Sequence, residues 1–204
     1  MFITIEGIEG SGKSTNAAFV IDYLNKLGKQ AIHTREPGGT VIAEKIRTIF
    51  LDKSLDESIT NQAELLLLFA ARSQHLEHLI IPALRSNKYV VCERFTDASF
   101  AYQGGGRCID MQDIVLLEKF VQQGISPDVV LLFDVNVAVA LDRINKRGNI
   151  DRIEKEKADF FERVRDVYLK RAALDSKKYY IIDANCDLMS VQQQIIDILL
   201  KIIK

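Results

Sequence analysis

The stretch GIEGSGKST, residues 7–15, decides the fold of this chain. Its spacing fits the pattern G-x-x-x-x-G-K-[ST], with Gly7, Gly12, Lys13 and Ser14 in the fixed positions. Glycines allow the backbone to turn closely around an anion, and the N–H groups of such a turn point inward at the negative charge. The stretch therefore predicts a phosphate-binding loop, which we call the P-loop (residues 7–15).

The sequence on both sides of the P-loop has the pattern that such a loop requires. Residues 2–6 are mostly β-branched or aromatic, and the apolar residues of 13–27 recur at helical spacing, with Gly28 in a position typical of a helix end. The free N–H groups and the dipole at a helix N-terminus favour negative charge. We therefore expect the Lys13 ammonium to reach the β- and γ-phosphates of a nucleotide and the Ser14 hydroxyl to ligate Mg²⁺.

Short apolar segments alternate with helical patterns along the chain, which is typical of a parallel sheet covered by helices on both faces. The predicted strands are residues 2–6, 30–34, 89–92, 129–133 and 179–182. The predicted helices are residues 13–27, 40–51, 61–85, 111–123, 137–146, 154–173 and 188–203. We expect Pro82 to kink or end the third helix, because proline has no backbone N–H. The predicted fold is α/β, with three α/β/α layers around a five-stranded parallel sheet in a single domain of residues 1–204.

The composition limits the partners that the chain can have. It is 48 % hydrophobic and 27 % charged, which is ordinary for a globular domain with a full core. The net charge of −1 gives no broad attraction to nucleic acid or to an anionic membrane, so we expect neither partner. Cys92, Cys108 and Cys186 are odd in number and lack C-x-x-C spacing, which argues against a disulfide framework or a zinc site. We expect a cytoplasmic protein, because there is no 18-residue apolar run and no signal-type start.

Polar residues follow the second and third predicted strands, at the edge where sheets of this kind bind ligands. Residues 35–39 read REPGG, a tight turn, and Arg47 lies in the helix that follows. Residues 93–107 read ERFTDASFAYQGGGR, in which Glu93 stands where a carboxylate commonly positions Mg²⁺ and Arg94 follows it directly. Each residue alone fits an ordinary surface loop, but the position at strand ends favours a binding site.

Phe69 and Arg72 lie three residues apart in the third predicted helix and therefore share a face. An aromatic ring beside a guanidinium can hold a flat base by stacking and hydrogen bonding. From the spacing alone, packing of Phe69 in the core is the simpler interpretation.

Arg143, Arg147 and Arg152 surround a break between two helices at Gly148. Arginines on a movable lid can neutralise the charge that develops during phosphoryl transfer, and the lid can exclude water. The alternative is a solvated basic connection, which the presence of a P-loop makes less favourable.

In this order, the motifs resemble those of the bacterial thymidylate kinase family along the whole chain. The segments that carry the resemblance are EGIEGSGKST (6–15), TREPGGT (34–40), LLLFAARSQHL (66–76), ERFTDASFAYQGGGR (93–107) and RGNIDRIE (147–154). The resemblance implies a P-loop NTPase fold with a short lid at about residues 143–153. It also implies transfer of the γ-phosphoryl group of ATP to dTMP, giving dTDP for dTTP synthesis, with Mg²⁺ as the cofactor and a homodimer as the assembly.

The same resemblance implies roles for individual residues. Those that would bind ATP are Gly7, Ile8, Glu9, Gly10, Ser11, Gly12, Lys13, Ser14, Thr15 and Arg143. Those that would bind dTMP are Glu36, Pro37, Arg47, Phe69, Arg72, Arg94, Ser99, Tyr102 and Gln103. The implied catalytic residues are Glu9, Lys13, Arg94, Arg147 and Arg152, and the implied metal site is Glu9, Ser14 and Glu93. In this interpretation Phe69 stacks on thymine. Because position 11 is serine, the lid would supply the catalytic charge, chiefly through Arg147.

The chain departs from the family pattern at the motif D-R-[YH], which reads Glu93-Arg94-Phe95 here. Glutamate keeps the charge but adds a methylene group, so a metal-bound water would shift by about an ångström. Phe95 cannot form the hydrogen bond of tyrosine or histidine, and Ala98 stands where serine is frequent. We expect these changes to tune the activity rather than abolish it.

Two other functions stay open at this point. A kinase for another acceptor, such as dUMP or a deoxynucleoside, is possible because one methyl group changes binding by only about 1 kcal/mol or slightly more. A nucleotide-dependent switch or assembly protein would use the P-loop without a second substrate, and would need neither a base pocket nor a second phosphate clamp. The strongly apolar helix at 61–85 also favours a helix-packed homodimer.

Overall fold

A computed structural model describes residues 1–54, 56–148 and 150–203. Asn149 of the predicted lid lies outside the described residues. The strands are β1 Phe2–Glu6, β2 Ala31–Arg35, β3 Tyr89–Glu93, β4 Val129–Asp134 and β5 Tyr179–Asp183. The helices are α1 Lys13–Lys26, α2 Val41–Leu51, α3 Asn61–His75, α4 Ile81–Arg85, α5 Thr96–Ser99, α6 Met111–Gln122, α7 Val137–Arg147, α8 Ala158–Leu174 and α9 Leu188–Ile202. Two segments are π-helical, namely Leu76–Ile80 between α3 and α4, and Phe100–Gly106 after α5.

The five strands form one parallel sheet in the order β2-β3-β1-β4-β5. Side chains alternate between the two faces of a strand, and β1 shows this directly. Ile3 and Ile5 pack in a core with Val20 of α1, whereas Phe2 packs in a second core with Ile80 and Val90. Helices therefore cover both faces, and the predicted three-layer α/β/α architecture with a five-stranded parallel sheet is confirmed. All five carboxyl ends lie at one edge of the sheet.

No described helix combines the length and the apolar character needed to cross a membrane.

The helix predicted over residues 61–85 has that extent, but it is distorted in the middle. The π-helical turn Leu76–Ile80 ends two residues before Pro82. Proline has no N–H, and its ring would clash with a carbonyl oxygen one turn earlier, so a wider turn makes room for it. Pro82 thus does not end the helix. The distortion lies in the turn before Pro82.

Helical structure after β3 was not predicted from the sequence. The stretch 96–106, which contains three consecutive glycines, forms α5 and the π-helical segment Phe100–Gly106. This segment packs closely against α8, where a Cβ on Gly106 would overlap the ring of Phe160. The packing against α8 therefore overrides the low helix propensity of glycine.

Candidate active site

The P-loop connects β1 to α1 and depends on two glycines. Gly7 has φ 135° and Gly10 has φ 75°, conformations that residues with a side chain rarely adopt. A Cβ on Gly7 would also collide with the carbonyl oxygen of Phe133, and one on Gly10 with that of Ala140. The loop is therefore held against β4 and α7 in a shape that only these residues allow.

Lys13 is buried at the start of α1 with its ammonium turned into the P-loop. Its Nζ donates hydrogen bonds to the carbonyl oxygen of Ile8 (2.6 Å) and to Ser11 Oγ (3.3 Å). Burial, aided by the positive charge of Arg94, lowers the pKa of Lys13 to about 7. A bound polyphosphate would supply the negative charge that this ammonium lacks in the free protein.

Ser14 and Glu93 contact each other at the end of the P-loop, where α1 begins. Ser14 Oγ donates to Glu93 Oε2 (2.6 Å), and Glu93 Oε1 lies 2.8 Å from His33 Nε2 on the neighbouring strand β2. A hydroxyl and a carboxylate are the hard oxygen donors that Mg²⁺ prefers, so the pair fits this ion. In residues 1–54, 56–148 and 150–203, no cluster of three or more His, Cys, Asp or Glu side chains could hold a metal alone. Mg²⁺ at such a site keeps waters and takes phosphate oxygens as further ligands.

A groove follows the P-loop along the carboxyl edge of the sheet, and we call it the P-loop groove. Its lining consists of Glu9, Gly10, Gly12, Lys13, Ser14, Thr15, Arg35, Glu36, Arg47, Glu93, Arg94, Arg143, Ile144, Arg147, Asp151 and Glu154. Most of the residues predicted to bind ATP are in this lining. Gly7, Ile8 and Ser11 lie behind it, where they shape the loop.

A second opening adjoins the groove, and we call it the side cavity. Its lining consists of Glu9, Glu36, Pro37, Arg47, Phe50, Leu51, Leu68, Arg72, Arg94, Phe95, Ala98, Ser99, Tyr102, Gln103, Asp151 and Ile153. Five residues line both openings, namely Glu9, Glu36, Arg47, Arg94 and Asp151. The two arginines therefore stand where a molecule in the groove would meet one in the cavity.

Arg94 is held at this junction by four polar partners. Its Nη1 donates to the carbonyl oxygen of Gly7 (3.0 Å) and to the Tyr168 hydroxyl (3.2 Å). Its Nη2 donates to Glu9 Oε1 (2.6 Å) and to the Tyr102 hydroxyl (3.1 Å). The backbone of Arg94 is left-handed, with φ 65°, directly after β3. The guanidinium is thus fixed in place before any ligand binds.

Glu9 accepts hydrogen bonds on both carboxylate oxygens, from Arg94 and from the Tyr102 hydroxyl. Burial opposes its ionisation, but the positive charges of Arg94 and Lys13 outweigh burial and lower the pKa of Glu9. Glu9 therefore orients Arg94 as an anion. Its predicted part in the metal site stays a prediction, because neither oxygen is free in this structure.

The turn after β2 brings Arg47 and Glu36 to the junction. Arg47 Nη1 donates to the carbonyl oxygen of Pro37 (2.9 Å). Glu36 is buried and binds Arg72 Nε through Oε2 (2.7 Å) and His75 Nδ1 through Oε1 (3.1 Å). The predicted residues Glu36 and Pro37 thus both line the side cavity and hold two of its arginines.

Arg72 and Gln103 each present an unpartnered polar atom. Arg72 Nη2 donates to the Phe95 carbonyl oxygen (2.9 Å) and to Ser99 Oγ (3.0 Å). Arg72 Nη1 and Gln103 Oε1 are buried and find no partner within the described residues. An unpaired buried polar atom costs on the order of 1–3 kcal/mol. A ligand in the side cavity that accepts from Nη1 and donates to Oε1 would remove both costs.

Phe69 does not line the side cavity, which corrects the prediction that it stacks on a base. It is 2 % exposed and packs with Phe100 and Ile114 in a separate core. Its ring lies 4.7 Å from the guanidinium carbon of Arg72, so it supports that side chain inside the protein. The preceding residue, Leu68, lines the cavity instead.

Two of the three lid arginines line the P-loop groove. Arg143 Nη1 donates to the carbonyl oxygens of Gly10 (3.2 Å) and Ala184 (3.1 Å), which ties α7 to the P-loop and to the end of β5. Arg147, at the end of α7, pairs with Glu154 and is largely exposed. Both are placed where they can meet a phosphate in the groove.

Arg152 is absent from the lining of the P-loop groove, so its predicted catalytic role is corrected for this structure. Its Nε donates to the Phe50 carbonyl oxygen (2.9 Å), and its Nη2 lies 2.8 Å from Glu64 Oε2. The guanidinium carbon is 5.0 Å from the centre of the Phe50 ring. Arg152 thus packs against Phe50, which lines the side cavity, and lies outside the lining of the P-loop groove.

Several residues of the two openings were not predicted as site residues from the sequence, namely Arg35, Phe50, Leu51, Leu68, Ile144, Asp151, Ile153 and Glu154. The spacing makes Leu68 a candidate beside Phe69, because Leu68 is four residues before Arg72 and such pairs share a helix face. The spacing of His33 also gives it no predicted role in a metal site, because its contact with Glu93 depends on β2 and β3 being neighbours.

Glu6, the last residue of β1, lies buried beneath Arg94. Its Oε1 accepts the Phe95 N–H (2.7 Å), and its Oε2 accepts the Tyr168 hydroxyl (2.9 Å). Burial and the neighbouring Asp97 carboxylate raise the pKa of Glu6 from 4.5 to about 7. The folded protein therefore holds this proton more tightly than the unfolded chain does.

The raised pKa of Glu6 predicts a falling stability in the neutral range. Its contribution is fully present below pH 4.5 and is lost as the pH rises through about 7. The free energy of unfolding of the wild type should therefore fall by about 3 kcal/mol relative to Glu6→Gln between pH 5 and 8. Urea unfolding of both proteins at several pH values measures this difference. Parallel curves for the two proteins would contradict the prediction.

Comparisons with known proteins cover nearly the whole chain. The family model described as thymidylate kinase matches residues 5–195. The chain is 52 % identical over 195 residues to a thymidylate kinase of Chromohalobacter salexigens, covering 95 % of this chain and 92 % of the relative. It is 51 % identical over 194 residues to a thymidylate kinase of Ruthia magnifica, covering 95 % and 94 %. Among solved structures, a thymidylate kinase from Ehrlichia chaffeensis matches with a TM-score of 0.79 and 32 % identity over 98 % of each chain.

Proposed function

This chain belongs to the thymidylate kinase family, and we propose that it transfers the γ-phosphoryl group of ATP to dTMP, giving ADP and dTDP for dTTP synthesis. One observation carries the proposal: the P-loop groove and the side cavity meet at Arg47 and Arg94. A phosphate held by the P-loop and the phosphate of a second nucleotide can therefore face each other across this junction.

Phosphoryl transfer requires positioning and charge stabilisation rather than covalent chemistry from the protein. The N–H groups of the P-loop and Lys13 bind the β- and γ-phosphates, while Arg47 and Arg94 orient the dTMP phosphate. An oxygen of the dTMP phosphate attacks the γ-phosphorus, and the bond to the β–γ bridging oxygen breaks, so that this oxygen leaves with ADP. Arg147 is within the groove to neutralise the charge on the transferring group.

Mg²⁺ is part of the proposal. Ser14 and Glu93 would hold it together with phosphate oxygens of ATP, because their oxygens already lie 2.6 Å apart. The bound ion supplies positive charge to the phosphates during transfer. Glu93 keeps one oxygen toward Ser14 because its other oxygen is bound to His33.

Replacing His33 with Ala should raise the Mg²⁺ concentration needed for half-maximal rate by about threefold to tenfold. Loss of a group that orients a metal ligand typically weakens metal binding by about tenfold to a hundredfold. We expect a smaller effect here because the His33 side chain is 42 % exposed. A Mg²⁺ titration of the initial rate at saturating ATP and dTMP measures it. His78→Ala, an exposed histidine on another face, is the matched control. An unchanged Mg²⁺ dependence would remove His33 from the metal site.

The two unpartnered atoms of the side cavity support a pyrimidine with an imide edge. Thymine offers the O4 acceptor for Arg72 Nη1 and the N3–H donor for Gln103 Oε1. Cytosine has a donor where thymine has the O4 acceptor, and an acceptor where thymine has the N3–H donor. A donor would then face the Arg72 Nη1 donor, and an acceptor would face the Gln103 Oε1 acceptor. Sites built on such hydrogen bonds discriminate strongly, whereas the thymine methyl alone distinguishes dUMP by only about 1–3 kcal/mol.

The proposed function is tested by a product assay with ATP-Mg²⁺ and a panel of dTMP, dUMP, dCMP, dGMP, UMP and thymidine. We expect dTDP as the preferred product, weaker reaction with dUMP and none with dCMP. Tight ATP binding without any product would favour the switch alternative. The side cavity, with Arg47 and Arg94 at its junction with the groove, argues against that alternative, since a switch needs no acceptor site.

The proposal includes a homodimer formed through α3 and α6, which pack against each other. Their outer surface carries the exposed apolar side chains Leu66 (56 %), Leu116 (65 %) and Phe120 (78 %). Leu116 and Phe120 are four residues apart and lie on one face of α6. Apolar side chains clustered in this way favour an interface. The cytoplasmic location, the single domain and the lid at about 143–153 stay predictions.

Phe120→Glu should convert the dimer to a monomer, because a charge placed in an apolar interface is left without a partner. Light scattering after size exclusion measures the mass of both proteins. Leu174→Glu is the matched control, since Leu174 is equally exposed at the end of α8. A monomeric wild type, or a dimer that Phe120→Glu leaves intact, would contradict the proposed interface.

A further inference from the structure

Glu64 is a buried carboxylate that none of the assignments above uses. It lies in α3, is 1 % exposed, and binds three side chains from other parts of the chain. Its Oε1 accepts from Gln103 Nε2 (2.8 Å) and from Arg107 Nε (3.2 Å). Its Oε2 accepts from Arg107 Nη2 (3.3 Å) and lies 2.8 Å from Arg152 Nη2. Two guanidiniums around one buried carboxylate keep it ionised.

Arg152 belongs to a segment that contributes to the wall of the side cavity. We call residues 150–156 the lid strap. Asp151 and Ile153 of the strap line the side cavity on either side of Arg152. A second tie fastens the strap at Glu156, whose Oε1 accepts from Arg107 Nη1 (2.5 Å). Glu64, directly and through Arg107, therefore anchors the strap at two points.

The same carboxylate fixes a side chain inside the cavity. Because Gln103 Nε2 donates to Glu64, its Oε1 is left as the unpartnered acceptor of a residue that lines the side cavity. A ligand that donates to Oε1 holds the amide in this orientation. The amide in turn keeps its hydrogen bond to Glu64, which holds Arg152 and the strap.

We propose that Glu64 is a positioning residue that couples occupation of the side cavity to docking of the lid strap. The inference rests on the proposed function, which names dTMP as the occupant. Coupling of two binding events is reciprocal. Filling of the cavity therefore stabilises the docked strap, and the docked strap raises the affinity for dTMP. Arg152 acts through this ion pair and through Ile153, not by contact with the transferring phosphate.

The test compares the wild type with Arg152→Ala, which removes the strap's charge from Glu64. Calorimetry without ATP should show that the affinity for dTMP falls about tenfold or more, because a partner of a buried charge pair is lost. The affinity for ATP should stay within about twofold. Hydrogen exchange of the strap amides should be slowed by dTMP in the wild type and not in Arg152→Ala. Lys146→Ala, which breaks the exposed pair with Asp142 in the same region, should change neither measurement.

A second variant separates coupling from a direct contact of Arg152 with dTMP. Glu64→Gln keeps the shape of the side chain and removes its charge. If the two residues act as a unit, adding Arg152→Ala to Glu64→Gln should weaken dTMP binding no further. Independent, additive losses would contradict the coupling. Should Glu64→Gln fail to fold, Arg107→Ala replaces it in the cycle, since Arg107 is partly exposed and ties the strap at its second point.

Failure of this inference is distinguishable from failure of the proposed function. If the wild type binds and phosphorylates dTMP but Arg152→Ala binds it equally well, the coupling is wrong and the function stands. If ATP and dTMP affinity fall together, Arg152 supports the fold in general and the coupling is also wrong. If the wild type neither binds nor phosphorylates dTMP, the proposed function itself fails.

Discussion

Replacing Lys13 with Met should lower kcat by about a thousandfold while leaving the KM for dTMP nearly unchanged. The loss is large because Lys13 is preorganised: its Nζ is already turned into the P-loop, 2.6 Å from the Ile8 carbonyl oxygen, and bound phosphates favour its charged form. Positive charge placed where negative charge develops in the transition state stabilises that state more than the ground state. Methionine has a similar length and no charge, so it isolates the electrostatic contribution.

Single-turnover measurements with excess enzyme and ATP-Mg²⁺ separate the chemical step from product release. Lys26→Met is the matched control, because Lys26 is an exposed lysine in the last turn of the same helix. Its rate should equal that of the wild type. A Lys13→Met enzyme that retains a tenth of the wild-type rate would show that other cations of the P-loop groove carry the charge stabilisation.

The P-loop and the fold could be predicted from the sequence because their determinants are local. Gly7 and Gly10 stand where the backbone needs positive φ and where any Cβ would meet a carbonyl oxygen of β4 or α7. Glu93 could be predicted near Ser14 because Glu93 ends one strand of a parallel sheet and the loop with Ser14 follows another, and the carboxyl ends of such strands share one edge. Pattern and spacing thus suffice where one short segment, or the edge of one sheet, determines the position.

The assignment of Phe69 failed because it depends on how α3 is rotated about its axis. Positions three and four residues before Arg72 flank the same helix face, so spacing cannot choose between Phe69 and Leu68. Packing against Phe100 and Ile114 turns Phe69 inward and leaves Leu68 facing the side cavity. Only the tertiary contacts of the helix determine this rotation.

Arg152 shows a second limit of sequence reasoning. Its position in the sequence near two other arginines predicts a phosphate contact. An arginine side chain is long, however, and can reach partners in several directions. The buried carboxylate of Glu64, 88 residues earlier in the chain, holds the guanidinium on the other side of the strap. Spacing along the sequence contains no sign of such a distant partner.

Replacing Arg94 with Ala should lower the affinity for dTMP about a hundredfold or more and leave the affinity for thymidine nearly unchanged. Arg94 lies at the junction of the two openings, where four polar partners fix its guanidinium. A fork of N–H donors binds a phosphate through paired, charge-assisted hydrogen bonds, which are among the strongest in proteins. Thymidine has no phosphate, so it reports the base pocket alone.

The ratio of the two affinities decides whether Arg94 is a phosphate clamp or a support of the pocket. Its removal leaves the Glu9 carboxylate buried without its charged partner, and this alone can disturb the site. The double variant Arg94→Ala with Glu9→Gln removes that unpaired charge and should show the same selective loss of dTMP. If thymidine binding falls as much as dTMP binding in both variants, Arg94 acts by holding Tyr102 and the cavity wall. If only dTMP binding falls, the junction of the two openings is the place where the acceptor phosphate is aimed at ATP.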